Sequence, residues 1–479
     1  MVRAPRRARG AGAPLRNLRR RRVRRQRRTR RGPDCERDHP RTRDRGIPVN
    51  PRQISDLVTL HQRTSGRFDL ENETRARAVT RSSIVWWQPG WLVMLSTIML
   101  CLVGVYCINI TSGLGTGEWT RTAFRQGVFA IIGMVGAALL VVPHYRRMIH
   151  FSWPLAALMI ALLIFLLIPF IPESIVRPRN GGARRWINIG ITEFQPSELA
   201  KIAFVLVMAS YLRFRRNHRS IRGLFLPSLI AFVPMALILV QPDLGTAVLF
   251  MPALVAMLIA AGAKLRHLFS ALGLSAVFAI VVVVLSLFFA QQNEYPLLRP
   301  HQVDRIAALI DQFEGDERHI QDRGFQGKQA ITLVGAGGIA GHPEPYARAL
   351  IVFSGLPERH NDMIFAVFAN RFGLIGIMVL LVLYAAWVGG ALWVAAMCRD
   401  PFGRLVCVGL AAMVATQAGV NIGMTIGLLP ITGMTLPFVS YGGTSLVAGF
   451  LMAGLILNIA LRRPAYLSRK SFEFDDDAE

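Results

Sequence analysis

Lysine is nearly missing from this chain. Its 55 basic residues are arginine except for Lys201, Lys264, Lys328 and Lys470, and only 29 acids oppose them. Cysteine is sparse as well. Cys35, Cys101, Cys107, Cys398 and Cys407 stand apart, with no C-x-x-C and no Cys/His ligand spacing, which leaves neither a disulfide framework nor a zinc site to argue for. No Walker A loop, H-E-x-x-H or G-x-S-x-G occurs, so nucleotide-phosphate, zincin and serine-hydrolase chemistries have no motif to rest on. A secretory signal is not expected, because no apolar core follows the N-terminal arginines until about Trp91.

What the chain has in quantity is apolar surface: 52% of its 479 residues are hydrophobic and 18% charged, which excludes a disordered chain. The net charge of +26 would suit a nucleic-acid binder, but the charge and the hydrophobicity occupy different places. Residues 1–50 hold nineteen arginines against Asp34, Glu36, Asp38 and Asp44, a local +15. No nucleic-acid partner is expected. The stretch reads either as a polybasic cytoplasmic tail drawn to anionic lipid or as a disordered extension, the latter favoured because nothing in it signals packing. The expected organisation is a basic, disordered cytoplasmic extension over 1–85, a membrane domain over 86–465 and an acidic cytoplasmic tail over 466–479.

About 20 apolar residues cross a bilayer as a helix. Ten such runs are present: roughly Trp91–Ile110, Gln126–Val142, Trp153–Ile171, Ser197–Leu212, Leu224–Val240, Leu244–Ala261, Leu268–Ala290, Met363–Ala396, Leu405–Leu429 and Thr444–Leu461. Arginine and lysine fill alternate connections: Arg146 and Arg147, then Arg213 to Arg222, Lys264 with Arg266, Arg399 with Arg404, and Arg462 onward. The positive-inside rule then puts both termini in the cytoplasm. The fold class is an all-α polytopic membrane protein with about ten transmembrane helices and a large external loop, 291–362, between the seventh and eighth. Trp86, Trp87 and Trp91 suit the interfacial belt at the first span.

Polar groups at membrane depth are functional candidates by default, and five clusters face outward. Arg184, Arg185 and Trp186 precede a helix start at Gln195-Pro196-Ser197-Glu198, with Lys201 one turn on; an ordinary helix start with an i,i+3 ion pair explains these equally well. Asp243, in Gln241-Pro242-Asp243-Leu244-Gly245-Thr246, sits where a helix N-terminus stabilises an anion, and in isolation it reads as a cap. Gln302, Arg305, Phe325, Gln326 and Gln329 read by spacing alone as a solvated loop surface. Arg359, His360 and Asp362 stand where the loop enters the eighth span. Asp362 is placed to serve as a general base, or the three form a solvated juxtamembrane group. The fifth cluster runs from Asn421-Ile422-Gly423-Met424 to Ser440-Tyr441-Gly442-Gly443-Thr444, where packing is the plainer reading. Two outward carboxylates among several arginines suggest an anionic substrate, and the arginine fork suits a diphosphate.

Together these segments resemble the SEDS family of peptidoglycan glycosyltransferases, the RodA, FtsW and SpoVE proteins. The resemblance runs from about residue 91 to 463. Its motifs are GARRWINIG and FQPSELAKIAF within 182–204, QPDLGTA at 241–247, GLPERHNDMIFAVFANRFGLIG at 355–376 and NIGMTIGLLPITGMTLPFVSYGGTSLV at 421–447. Pro357 to His360 and Asn421 to Met424 lean toward the RodA branch. The resemblance implies polymerisation of lipid II at the outer face of the bacterial cytoplasmic membrane for elongation and shape, with a class B penicillin-binding transpeptidase as partner. The alternatives are an FtsW-like division polymerase, and a non-catalytic scaffold or lipid-linked precursor transporter. Asp362 falls on the family's essential carboxylate, which would deprotonate the acceptor sugar's 4-hydroxyl. Glu198, Lys201, Asp243, Arg185, Trp186, Arg305, Gln329, Arg359, His360 and Ser440 are implied to line the substrate. No cofactor is demanded, and a divalent cation (Mg or Mn) is left open. The chain departs from the family pattern at Asn370-Arg371, where two acids are usual, at Gly341-His342-Pro343 and Arg348-Ala349-Leu350 in the large loop, and at Asn361, where Thr is usual.

Overall fold

The computed structural model describes residues 88–111, 119–179, 183–190, 192–213, 221–290, 303, 307 and 325–462. The basic stretch 1–50, Trp86, Trp87, Gln302, Arg305 and the acidic tail lie outside these residues.

Every expected span falls on helix. In chain order these are α1 (Gly90–Thr111), α2 (Arg121–Val141), α3 (Met148–Leu167), α4 (Pro196–Leu212), α5 (Phe225–Val240), α6 (Leu244–Val248) running on into α7 (Phe250–Ala260), and α8 (Leu265–Ala290). Beyond the large loop come α11 (Ile364–Met397), α12 (Pro401–Thr425) and α13 (Gly443–Leu461). Six described helices are both long and apolar enough to cross a membrane: α1, α2, α3 with its preceding turn, α11, α12 and α13. The starts follow local chemistry. Thr120 accepts the Ala123 N–H at the head of α2, while Pro196 and Pro401 occupy first-turn positions where no N–H is needed.

α13 is the central helix. It packs along α2 and α1, while α11 packs on α1 and α12, and α12 on α4 and α7. Small residues permit the approach: a β-carbon on Gly454 of α13 would stand 2.7 Å from the Ala137 Cα of α2. The outward faces carry Leu102, Ile131, Leu139, Phe232, Val281 and Val382, all exposed. That surface suits lipid.

Two connections hold structure where the sequence reads as loop. The third folds into a small antiparallel sheet of order β1-β2-β3, with β1 Val176–Arg179, β2 Ala183–Asn188 and β3 Glu193–Phe194. Ile187 pairs with both Val176 and Phe194, and a register shift at Arg177/Pro178 accommodates the proline. Arg184 ties the sheet to the end of α3 by donating to the Ile168 and Pro169 carbonyls, each at 2.9 Å. The large loop contributes α9 (Phe325–Ala336) and α10 (Glu344–Phe353), which pack on α11 and α1. At this junction α11 is broken. Gly373 has φ +62, and the freed N–H groups of Leu374 and Ile375 donate to Gly338 and Ile339 carbonyls at 2.9 and 3.1 Å. A β-carbon on Gly373 would stand 2.5 Å from the Ile339 oxygen and strike the Gly341 nitrogen, so only glycine fits.

Candidate active site

The starts of α4, α6, α11 and α13 converge at the end of the bundle that the arginine pattern places outside. Four groups meet there.

The first is built on Asp243, the N-cap of α6. Its carboxylate accepts from the Thr246 N–H (3.3 Å), the Thr246 hydroxyl (2.9 Å) and the Gln195 amide (3.3 Å), with Arg185 Nη1 at 3.8 Å. Arg185, carried by β2, also donates to the Gln241 carbonyl at 3.0 Å and to the Pro242 carbonyl, and stands 6.0 Å from the Trp186 ring. The sheet therefore holds a guanidinium over the α6 N-terminus. Capping and the electrostatic role are both present in one group.

The second group is Glu198 and Lys201 on α4. They pair at 2.8 Å while 7% and 2% exposed, and Lys201 Nζ also donates to Gln417 Oε1 at 3.0 Å. A buried ion pair holds its place only when further hydrogen bonds satisfy it, and Gln417 of α12 does this. Ser197, one residue earlier, keeps a buried hydroxyl with no partner among the described residues.

The third is residues 426–442, a non-helical passage between α12 and α13 in which Met434, Leu436, Phe438, Val439 and Ser440 are buried. Irregular backbone at such depth needs every polar group satisfied by protein. Side chains from the surrounding helices supply the donors. Asn421 donates to the Met434 carbonyl (2.5 Å), Gln417 to Thr435 (3.0 Å), Tyr384 to Pro437 (2.6 Å) and Gln126 to Ser440 (3.0 Å). Ser440 Oγ accepts the Leu436 N–H at 2.7 Å.

The fourth is the entrance to α11, where three consecutive carbonyls are taken by the third group and its neighbours. Tyr441 N–H donates to His360 (2.9 Å), Ser440 Oγ to Asn361 (2.6 Å) and Asn421 Nδ2 to Asp362 (2.8 Å). Residues 432–434 lie between the two acids. Thr432 O is 3.3 Å from where a Gly245 β-carbon would be, and Asp362 Oδ2 is 3.4 Å from that of Gly433. Arg359 donates to the Ile351 carbonyl at 3.3 Å, satisfying the end of α10. Burial holds the half-buried His360 imidazole below its ordinary 6.5; Glu358 opposes this and Arg359 adds to it. His360 faces Tyr441, the ring centroids 5.9 Å apart.

Of the residues expected to line a substrate, Glu198, Lys201, Asp243, Arg185, Trp186, Arg359, His360, Asp362 and Ser440 gather at this end. Ser440 differs from expectation in one respect, since both sides of its hydroxyl are spent on backbone. Gln329 stands half-buried on α9, and Arg305 lies outside the described residues. Sequence reasoning passed over Gln126, Gln417 and Tyr384. Their signal was available: single polar residues in otherwise apolar runs. For a divalent cation, the described acids offer poor ligands. The oxygens of Asp243 accept three donors beside a guanidinium, Glu198 is paired, and no group of three His, Cys, Asp or Glu among the described residues could hold a metal.

The departures at Asn370-Arg371 have partners of their own. Arg371 donates to the Tyr106 hydroxyl (3.1 Å) and the His342 carbonyl (2.9 Å). Tyr106 donates to Glu344 (3.0 Å), and Glu344 pairs with Arg348 at 2.8 Å. Arg348 continues to the Asn109 carbonyl at 3.2 Å, so α10 is docked on α1 and α11 by one chain of charges. The hydrogen bond that Arg348 Nε donates to Glu344 at 2.9 Å holds the Glu344 carboxyl below its ordinary 4.5. Asn370 is fully buried and donates to Leu333 of α9.

The profile of a family described as cell cycle protein, covering FtsW, RodA and SpoVE, matches residues 88–464. Stage V sporulation protein E of Bacillus subtilis is 32% identical over 378 residues, 78% of this chain and 97% of that protein. Peptidoglycan glycosyltransferase MrdB of Escherichia coli is 34% identical over 283 residues, 59% of this chain and 72% of its own length. Among solved structures, a chain from a peptidoglycan synthase complex that coordinates polymerization and crosslinking superposes with a TM-score of 0.63 at 28% identity, covering 77% of this chain and 96% of that one. The rod shape determining protein RodA of Thermus thermophilus superposes at 0.53 with 26% identity, covering 77% and 95%.

Proposed function

The chain belongs to the FtsW, RodA and SpoVE family, and from that premise we propose how it acts as a peptidoglycan glycosyltransferase. It is a multi-pass membrane protein, and its membrane is the bacterial cytoplasmic membrane. Its substrate is lipid II, engaged from the outer leaflet. Asp362 is the general base. It takes the proton of the acceptor sugar's 4-hydroxyl as that oxygen bonds to the donor's anomeric carbon. The bond from that carbon to the diphosphate breaks, and undecaprenyl diphosphate leaves with the electron pair.

The observation that supports this most is the fixing of Asp362. A base contributes only if held within reach of its proton, and here three consecutive carbonyls at the α11 entrance are each bonded from another element. Arg185, with Trp186 beside it, supplies positive charge suited to a diphosphate, and Asp243 with the Gln241 and Pro242 carbonyls holds Arg185 in place. Lys201 and Glu198 brace the adjoining wall. Arg359 and His360 border the base, Ser440 positions it, and Gln329 stands on α9 of the external loop to which Arg305 belongs by sequence. The reaction is derived without a divalent cation. A class B penicillin-binding transpeptidase is the partner, supported by the likeness to a chain of a peptidoglycan synthase complex. Elongation rather than division is supported by the RodA-leaning residues 357–360 and 421–424.

The test is glycan polymerisation from lipid II by the purified complex. Asp362→Ala should lower the rate by roughly 10²–10⁴-fold with the melting temperature unchanged, and Asp243→Asn should lower it less. Wild-type polymer formation by Asp362→Ala would end the assignment. Accumulation of flipped lipid II without polymer in the wild type would favour the transporter reading.

A further inference from the structure

We propose that Asn421, on α12, is a positioning residue for the Asp362 carboxylate; this rests on the reading of Asp362 above. Asn421 is fully buried. Its two amide hydrogens go to different places: Asp362's carbonyl at 2.8 Å and Met434's at 2.5 Å. One side chain thereby couples the entrance of α11 to residues 432–434, the stretch lying between Asp362 and the start of α6. The orientation of the amide follows from its acceptors, since only the NH2 end can serve two carbonyls.

The arrangement has a cost that a packing residue would not incur. Asn421 Oδ1 is buried with no partner among the described residues. Leucine repeats the branched shape at a larger volume and without polar atoms, and removing the orphan acceptor would recover its desolvation penalty at the expense of the two carbonyls. The amide is thus a poor filler and a good clamp. What it clamps is specific. Gly433, next to Met434 in the chain, has φ +72, and a β-carbon on it would face the carboxylate. A β-carbon there would reach 3.4 Å from Asp362 Oδ2, so the hydrogen at this position leaves that oxygen room. Loosening Asn421 frees the base to shift against this wall. A displacement of about 1 Å is enough to cost roughly 10²-fold in rate.

The experiment uses the full chain with its transpeptidase partner and measures initial rates of lipid II polymerisation. Asn421→Leu is expected to lower kcat, referred to the folded fraction, about 100-fold while KM for lipid II holds; its melting temperature falls because two buried carbonyls lose their donor. Gly433→Ala keeps Asn421 and both its acceptors but strains a φ of +72 and sets a methyl in van der Waals contact with the carboxylate. The acid limb of its pH–rate profile is expected to move to higher pH, because displacing water disfavours the charged form. Ser440→Ala should fall with Asn421→Leu, and Ser440→Thr, which keeps a hydroxyl donor, should recover. Wild-type kcat in Asn421→Leu, or a kcat loss that merely tracks the folded fraction together with an unmoved Gly433→Ala profile, overturns the proposal. If Asn421→Leu yields no folded protein, the Gly433→Ala profile and the Ser440 pair decide. Asp362→Ala assayed alongside separates the two levels. An active Asp362→Ala removes the catalytic reading, whereas an inert Asp362→Ala beside a fully active Asn421→Leu removes only the positioning.

Discussion

Residues 426–442 and residues 337–343, between α9 and α10, are both irregular backbone set against the ends of helices, yet they are held by opposite chemistry. The first lies inside the bundle and is tied by neutral groups: Gln126, Tyr384, Gln417, Asn421 and Ser440. The second lies at the rim and is tied by charges: Arg371, Glu344 and Arg348 around Tyr106, with Gly373 opening α11 to receive it. The difference follows desolvation. A buried carbonyl needs a donor, and an amide or phenol provides one without an ion to strip of water. At the rim Glu344 is about a third exposed and keeps part of its hydration, which lowers the cost of a charged latch there although Arg348 is buried, and leaves the carboxylate open to salt and pH. The inner passage therefore suits permanent positioning of Asp362 and the outer one suits a loop that must let substrate pass.

The largest expected effect breaks the outer passage at its pivot. Gly373→Ala drives a β-carbon into the Gly341 nitrogen and the Ile339 oxygen, both backbone, so neither can swing aside. The cost is about 2–5 kcal/mol from strain and overpacking. It should appear as lost yield and a lowered melting temperature. A Gly373→Ala protein with wild-type melting would show that the α9–α11 junction is not built as described.

A smaller pair of variants tests the contrast itself, since each deletes one phenolic hydroxyl. Tyr384→Phe leaves the buried Pro437 carbonyl without its 2.6 Å donor and should cost about 1–3 kcal/mol. Tyr106→Phe removes a hydroxyl between two half-solvated ions that can then approach each other, and should cost about 0.5–1 kcal/mol, less at high salt. Equal losses would dissolve the distinction between the two passages.

How far the sequence carried this picture depends on the range of each force. Membrane helices are dictated by contiguous apolar residues, so all ten runs fell on helix, and the arginine pattern oriented them. Ends were less legible. The third run begins in the sequence near Trp153, but α3 starts at Met148 because the turn at Tyr145–Arg147 leads into it. The small sheet went unread since strands of two to six residues rich in arginine carry no alternating signal. Asn421 reads as packing beside Gly423 because its acceptor is 59 residues away in the chain. Arg371 reads as the loss of two acids, and only the fold brings Tyr106 and Glu344 to it.

The smallest effect, and the one that separates the passages most cleanly, is their response to acid. His360 in the inner clamp is held below its ordinary 6.5 mainly by burial. A depressed folded value means its contribution is full above 6.5 and fades as pH falls through the lower folded value. Glu344 at the rim is held below 4.5, chiefly by Arg348, so its contribution persists to lower pH and fades only beneath that. Its side chain is about a third exposed, and solvent screening keeps the effect small. Hydrogen exchange on the reconstituted protein should therefore show amides of residues 360–363 losing protection first as pH drops below 6.5. Those of α10 should follow only below about 4.5, while α13 stays protected through both steps. Glu344→Gln should remove the second step and spare the first. If both passages loosen together near pH 6.5, the charged latch and the neutral clamp are one cooperative unit, and the separation between positioning and gating drawn from their chemistry does not hold.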